Sequence, residues 1–121
     1  MVLEYAEGRF IKMTAGADIT AGQLVEITDD ETVSPATAAS TAVVGVALTD
    51  ASQNELVTVV TEGVVSVTAS GAVSAGDKVQ SAADGKVSTW SASAAGDSAK
   101  IVGVALEDAA DGNTVKIKLE V

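Results

Sequence analysis

The sequence predicts an all-β fold, organised as one compact, barrel-like domain built from two similar halves. Short segments rich in Val and Thr are interrupted at regular intervals by Gly, Asp and Ser, which is the pattern of strands joined by turns. No segment shows the 3.6-residue apolar period of a packed helix. The apolar run Val-Gly-Val-Ala-Leu occurs twice, at residues 44–48 and 102–106, which indicates a duplicated structural unit.

Two copies of one β unit are predicted at about residues 15–67 and 69–121, within a β domain covering residues 12–121. When the copies are aligned, Gly22 lies over Gly76, an offset of 54 residues, whereas the repeated apolar runs are offset by 58 residues. The second copy has therefore gained four residues. We place them in residues 91–98, because insertions collect in surface loops.

The elements follow the same order in each copy. An Ala-Gly turn precedes a first strand, a hairpin turn and a second strand, and a Ser, Ala and Thr loop then leads to the repeated run and a closing strand. Asp84-Gly85 is a strong hairpin signal. The continuous apolar run predicts burial, so Val46 and Val104 are both expected in the interior. The expected strands are residues 24–28, 33–34, 44–48 and 56–62 in the first copy and 78–81, 87–90, 102–106 and 115–121 in the second.

Aromatic side chains are scarce, and most apolar residues are small. Tyr5, Phe10 and Trp90 are the three aromatic residues, while Ala and Val dominate the hydrophobic fraction of 47%. Small side chains gain less on burial than the roughly 1.5–3 kcal/mol of a larger apolar side chain. We therefore expect the domain to gain stability from self-association or from binding to a larger surface.

Charge and missing residue types exclude several classes of function. A net charge of −10, with seven scattered basic residues, argues against binding nucleic acid through its phosphates. No apolar run is long enough to span a membrane, and the N-terminus lacks signal-peptide features. The absence of His and Cys removes imidazole and thiol chemistry, and no nucleotide-binding loop occurs. We expect no enzymatic activity, no cofactor or metal, and neither a nucleic-acid nor a membrane partner.

Two local features have alternative interpretations. Asp29-Asp30-Glu31 forms an acidic cluster, which we interpret as a solvated turn because it lacks the spacing of a calcium-wrapping loop. A weak calcium site is the alternative. Trp90 is either a binding hot spot or the largest side chain of a core made of Ala and Val.

The first eleven residues, MVLEYAEGRFI, have no evident counterpart in the second copy and carry two of the three aromatic residues. We interpret residues 1–11 as an extended arm whose apolar side chains bind another protein. The alternative is an extra edge strand folded back on the domain. The candidate interface residues are Leu3, Tyr5, Glu7, Gly8, Phe10, Ile11 and Trp90.

Three motifs occur in order: YAEGRFIKMTAGADITAGQLV (5–25), VVGVALTDA (43–51) and VTEGVVSV (60–67). They resemble the small capsid decoration, or cement, proteins of tailed viruses, a family sometimes mislabelled as a recombinase. The acidic charge and the missing nucleotide-binding loop argue against the recombinase label. Tyr5, Glu7, Gly8 and Ile11 fill the family's opening pattern, although Tyr5 lies one position closer to the Glu. The later matches are Gly22, Val25, Gly45, Val46, Ala47, Asp50, Glu62 and Gly63.

The resemblance implies a β-tulip domain without catalytic residues. It implies a virion protein, made in the host cytoplasm, that binds the outer surface of the viral capsid and clamps neighbouring major capsid protein subunits. It also implies homotrimers at threefold and quasi-threefold positions, with an N-terminal arm that reaches onto the shell. The alternative function is a carbohydrate- or cell-surface-binding β module, either soluble or displayed on the virion.

Overall fold

Nine β-strands make up most of the part of the chain that the computed structural model describes, residues 9–91 and 97–120. The predicted all-β fold is confirmed. Two short 3-10 turns, Ala83–Gly85 and Asp97–Lys100, precede β7 and β8. The strands are β1 (Arg9–Ala15), β2 (Leu24–Asp29), β3 (Thr32–Pro35), β4 (Val43–Ala47), β5 (Leu56–Thr68), β6 (Lys78–Ala82), β7 (Lys86–Thr89), β8 (Ile101–Ala105) and β9 (Thr114–Leu119).

The first half of the chain closes into a small five-stranded barrel, which we call barrel 1. Its strands follow the order β1-β3-β2-β4-β5, and β1 also pairs with β5, which completes the ring. Strand β5 is 13 residues long and continues into the second half, where it pairs with β9. The order β9-β8-β6-β7 and a bridge between Ala69 and Val87 form barrel 2. The two barrels therefore share one strand.

The strand register of barrel 1 recurs in barrel 2. Val25 lies opposite Gly45 in the β2–β4 pair, and Val79 lies opposite Gly103 in the β6–β8 pair. In each strand pair the register shifts immediately after that position. The sequence offsets of 54 and 58 residues are therefore also the offsets between spatially equivalent residues.

Strand β1 has its structural counterpart in the second half of β5. Met13 pairs with Val57, and at the same two offsets Val67 pairs with Val115. The parallel contact of β1 with β3 is likewise repeated, as the bridge that closes barrel 2. Because β1 is a regular strand of the first unit, the duplicated unit begins earlier than the sequence motifs indicate.

The copies consequently cover residues 9–62 and 63–120 in the structure. Arg9, Phe10 and Ile11, which were expected in the arm, lie in β1 because their backbones pair with β5. The remainder of the expected arm, residues 1–8, lies outside the described residues.

Close contact between strands explains the glycine of the repeated apolar run. A Cβ atom on Gly45 would collide with the backbone carbonyl oxygen of Val60. A Cβ atom on Gly103 would collide in the same way with the carbonyl oxygen of Lys118. The run therefore occurs twice because in each barrel the strand that carries it must lie close to the backbone of the next strand at the same position.

Each barrel encloses its own small core, and the two cores use equivalent positions. The buried apolar residues of the described chain are Ala, Val, Ile, Leu and Met, with no aromatic side chain among them. Barrel 1 buries Met13, Ala15, Ile19, Val25, Val33, Ala47, Ala51, Val57 and Val59, and barrel 2 buries Val67, Ala69, Val73, Val79, Val87, Ala105, Val115 and Ile117, with Ala109 packed against them.

Candidate interaction surfaces

The junction between the two copies is built asymmetrically. The first copy contributes the outer face of its sheet, where Leu24, Val46 and Val60 lie side by side in register and are fully buried. These side chains pack in one cluster with the core of barrel 2. The outer face of barrel 1 therefore covers barrel 2, in a contact that joins different surfaces of the two copies.

The loop between β3 and β4, residues 36–42, completes this cover. Ser81, which is fully buried, donates its hydroxyl to the carbonyl of Thr37 at 2.7 Å and accepts from the backbone N–H of Ser40 at 2.9 Å. The N–H of Gly85 donates to the carbonyl of Ala36 at 3.0 Å. The loop of the first copy thus closes one end of barrel 2 by hydrogen bonds.

Glu26 holds the same loop from the other side. Its Oε1 atom accepts from both the N–H and the hydroxyl of Thr37, each at 3.0 Å. Partial burial acts to raise the pKa of Glu26, but hydrogen bonds from Thr37 and Ser40 outweigh it and leave the pKa below its ordinary value of 4.5. The ionised carboxylate is therefore the form that fixes the loop.

The equivalent end of barrel 1 is uncovered among the described residues. Ile11 and Ile27 pair with core residues of barrel 1, so their side chains point to the interior side, yet they are 42% and 39% exposed. Val44 is half-buried beside them against the same core. Their counterparts in barrel 2 are Val65, Ser81 and Val102, all at most 2% exposed. We call Ile11, Ile27 and Val44 the open end of barrel 1.

Part of the outer face of barrel 2 is also uncovered in the described part of the chain, although Val64, which pairs with Lys118, is buried. Lys78, Val104 and Lys118 lie side by side in register, at the positions equivalent to Leu24, Val46 and Val60. Both lysines are exposed and Val104 is half-buried. The expectation that Val104 is an interior residue is therefore wrong, because the described residues leave its side chain half-exposed. We call Lys78, Val104 and Lys118 the outer row of barrel 2.

Among the candidate interface residues, Phe10 and Ile11 are neighbours on β1 whose side chains point to opposite faces of the strand, and Phe10 is 43% exposed. Arg9 forms an ion pair with Glu62 at 3.0 Å between Nε and Oε2, but both side chains are largely solvated, so the pair contributes little. The candidates Leu3, Tyr5, Glu7 and Gly8 lie outside the described residues.

Trp90 lies apart from β1, directly after β7 in barrel 2. It is half-buried rather than a core residue, and its backbone N–H donates to the carbonyl of Lys78 at 2.8 Å. Its counterpart in the first copy is Ala36, one of the residues buried at the junction. Trp90 therefore borders the outer row of barrel 2.

The acidic cluster forms the turn between β2 and β3, near the open end of barrel 1. The N–H of Asp30 donates to Oδ1 of Asp29 at 2.8 Å, and the hydroxyl of Thr32 donates to the carbonyl of Asp30 at 2.8 Å. Glu31 adopts a left-handed backbone with φ of 47°. These contacts describe an exposed hairpin turn. Within residues 9–91 and 97–120 no group of acidic side chains has a metal-binding arrangement.

A shallow polar groove of about 530 Å³ lies between the copies. Hydroxyl and amide side chains predominate, and no aromatic ring lines its described wall, so the groove lacks the stacking platform that sugar-binding sites commonly use. In the described ranges no helix is long and apolar enough to cross a membrane. The wall includes Thr20, Gln23, Ser66, Thr68, Lys86 and Thr114.

Sequence inspection alone did not identify the open end and the outer row. Ile27, Val44, Lys78, Val104 and Lys118 were not singled out as interface residues, since each is unremarkable in its own strand. The available signal was the aligned repeat, in which buried apolar positions of the first copy become lysines in the second.

Comparison with known proteins identifies the type of protein that carries these surfaces. Residues 5–120 match the sequence profile of the phage cement proteins. The chain belongs to the phage cement protein family. A protein of this family is a structural component associated with the phage capsid, and the resemblance inferred from the sequence motifs is confirmed.

The fold also matches a solved structure. The chain is similar to the head fiber gp8.5 N base of bacteriophage phi29, with a TM-score of 0.73 and 19% sequence identity over 93% of this chain and 94% of that chain. At this identity the likeness establishes the fold. No curated protein sequence matches the chain.

Proposed function

We propose that this cement protein binds the outer surface of the phage capsid and stabilises the shell by clamping neighbouring major capsid protein subunits. The match of residues 5–120 to the phage cement proteins is the observation that carries the proposal. The mechanism requires no chemistry. A protein that binds the assembled shell but not its separated subunits shifts the equilibrium towards assembly by mass action.

The surfaces of the described chain suit a binding role. Its exposed large apolar side chains are Phe10, Ile11, Ile27, Leu56 and Leu106. Such side chains gain free energy when a partner removes them from water, by roughly 25 cal/mol per Å² of apolar surface. The small Ala and Val cores leave the domain itself modestly stabilised, so external contacts add a large fraction.

The N-terminal segment is proposed as the arm that reaches onto the shell. Residues 1–8 precede β1 and include Leu3 and Tyr5 as apolar anchors, with Glu7 and Gly8 next to the start of the strand. A segment of eight residues extends over at most about 25–30 Å. This reach is sufficient to cross from the subunit beneath the domain to its neighbour.

The proposal further includes three copies arranged around local threefold axes of the shell. Closed rotational symmetry satisfies exposed surfaces that an isolated copy leaves in water. In this arrangement each copy contacts two others and at least two capsid subunits. One clamp of this kind, repeated over the symmetric shell, opposes separation of the subunits at every axis.

Co-sedimentation with purified capsids tests the binding step. The full chain at a stoichiometric ratio should pellet with expanded shells and remain in the supernatant without them. Asn113→Ser, in an exposed turn of barrel 2, is a matched control that should bind as the parent does. Failure of the parent to pellet at that ratio would refute the proposed function.

A second measurement separates clamping from mere attachment. Shells with and without the bound protein are heated, and rupture is followed by the release of packaged DNA. Clamping raises the rupture temperature in proportion to occupancy. Binding at full occupancy with an unchanged rupture temperature would leave the protein a capsid ligand and exclude the clamp.

A further inference from the structure

The two copies have unequal uncovered surfaces, and these surfaces are equivalent to the two that already meet inside the chain. At the junction, the outer face of barrel 1 covers the end of barrel 2 that contains Val65 and Val102. Among the described residues, the open end of barrel 1 and the outer row of barrel 2 remain uncovered. Each is the counterpart of one side of the junction.

We propose that the open end of barrel 1 binds a second copy of this chain, which presents the outer row of its barrel 2 together with Trp90. The contact would repeat, between molecules, the head-to-tail relation that joins the two copies within one molecule. It rests on the self-association included in the proposed function, but it requires no capsid.

The first support is the correspondence of positions. The first copy buries Leu24, Ala36, Val46 and Val60 at the junction. Their counterparts on the second copy stand in the same relative places, because the registers of the two barrels are the same. These counterparts are Lys78, Trp90, Val104 and Lys118.

The second support is steric compensation. At the junction Gly85 touches the backbone of Leu24 so closely that a Cβ atom on it would lie 2.7 Å from the Leu24 carbonyl oxygen. The counterpart of Gly85 on barrel 1 is Glu31, whose side chain prevents such a close approach. The contact between molecules must therefore be wider than the junction. Trp90, in the place of Ala36, supplies the extra volume that a wider contact needs.

Charge complementarity is the third support. The turn Asp29-Asp30-Glu31 lies beside the open end of barrel 1, and all three side chains are exposed. The facing row on the second molecule carries Lys78 and Lys118, both also exposed. In the geometry of the junction Lys78 would approach Glu31. The lysines that replace buried apolar residues thus face an acidic turn, with their aliphatic stems over Ile11 and Ile27.

A contact between different surfaces of identical chains is heterologous, and it closes into a ring when the rotation between neighbours permits. The open end is hence a surface for another copy, and the capsid would be held by other parts of the chain. Capsid subunits and the chain's own residues 1–8 are the competing occupants.

Single-cysteine cross-linking tests the contact, since the natural chain has no cysteine. Glu31→Cys and Lys78→Cys variants are mixed, one of them tagged, over a range of concentrations and treated with a short bismaleimide. The mixed dimer should form well above either like dimer, and its yield should rise with concentration. Asn113→Cys, in a remote turn, is the control and should cross-link with neither variant.

Charge reversal tests the same pairing without cysteines. Sedimentation should show self-association weakened about fivefold by either Lys78→Glu or Glu31→Lys, because each places like charges together. Mixing the two variants should restore association, since the new glutamate of one variant then meets the new lysine of the other. No restoration, or like dimers as abundant as mixed ones, would overturn the proposal.

Reaction of an Ile27→Cys variant with a soluble thiol reagent distinguishes the second copy from the competing occupants, because a covered cysteine is protected from the reagent. Protection that increases with protein concentration supports the second copy. Protection that is independent of concentration and disappears when residues 1–7 are deleted assigns the open end to the chain's own N-terminal segment. Protection that appears only with capsids assigns it to the shell. Either of these last results overturns the contact, whereas only failed co-sedimentation of the parent refutes the capsid role.

Discussion

The same substitution at two equivalent positions, Val46→Asp and Val104→Asp, should have very different effects. Val46 is fully buried at the junction, between the outer face of barrel 1 and the core of barrel 2. Val104 occupies the equivalent place on β8, but it is half-buried and borders solvent. The repeat in the sequence predicts equal damage, whereas the structure predicts damage at Val46 alone.

The magnitude follows from what each site loses. At Val46 the burial of the valine is lost, about 1.5–3 kcal/mol, and a carboxyl group is left without a partner, about 1–3 kcal/mol even when protonated. The sum, about 3–6 kcal/mol, is a large part of the roughly 5–15 kcal/mol that stabilises a domain. At Val104 the carboxylate remains hydrated, and the cost is about 1 kcal/mol from strand preference.

Thermal unfolding followed by far-UV circular dichroism measures the difference. Val104→Asp should melt within a few degrees of the parent, whereas Val46→Asp should melt at least 10 °C lower or fail to fold, given about 4 °C per kcal/mol for a domain of this size. The Ala variants at both positions keep the comparison measurable if Val46→Asp does not fold. Equal melting temperatures within each pair would refute the asymmetric junction.

Three further predictions concern the strand contact, the loop and the arm. Gly45→Ala and Gly103→Ala should each lower the free energy of unfolding by about 1–3 kcal/mol in chemical denaturation, because the new Cβ meets a backbone carbonyl of the neighbouring strand. Parental stability in both variants would contradict the close approach of the two strands. Glu26 has a pKa below 4.5 when folded, so its contribution is present above that pH and lost as the pH falls through the folded pKa. Glu26→Gln should therefore reduce the loss of stability on acidification, and an unchanged pH profile would exclude the loop contact. Deleting residues 1–7 should leave the melting temperature nearly unchanged and weaken capsid binding about tenfold or more; an unfolded variant would show that the segment belongs to the domain.

The strand pattern was predictable because it depends on local chemistry. Alternating residues, Asp-Gly turns and the repeated apolar run are visible in the chain, and they placed the strands from β2 to β9 within a few residues, except that β5 continues to Thr68 beyond its predicted end at Glu62. Strand β1 was not recognised as part of the duplicated unit. Its counterpart is the second half of β5, and this correspondence rests mainly on pairing, because only Thr14 and Ala15 are identical to their counterparts in residues 63–69.

The interaction surfaces were less predictable, since exposure depends on what covers a strand. Val46 and Val104 have the same neighbours in sequence, yet one is buried and the other half-buried. The difference arises because the outer face of barrel 1 packs on barrel 2, whereas no described residue buries Val104 on the outer face of barrel 2. Phe10 and Ile11 were expected at an interface and are exposed on β1, while Trp90 is neither fully buried nor remote from an exposed surface.

The shared strand ties this asymmetry to the duplication itself. Strand β5, Leu56–Thr68, supplies the last strand of barrel 1 with its first half and the first strand of barrel 2 with its second half, so the two copies are joined within one continuous strand. Because strand β5 runs unbroken from the first copy into the second, it restricts how one barrel can rotate relative to the other. The outer face of barrel 1 is thereby directed towards the end of barrel 2. One copy is then left with an uncovered end and the other with an uncovered face. The second copy has lysines where the first has apolar junction residues, which keeps the uncovered face soluble while it remains able to meet an acidic partner surface.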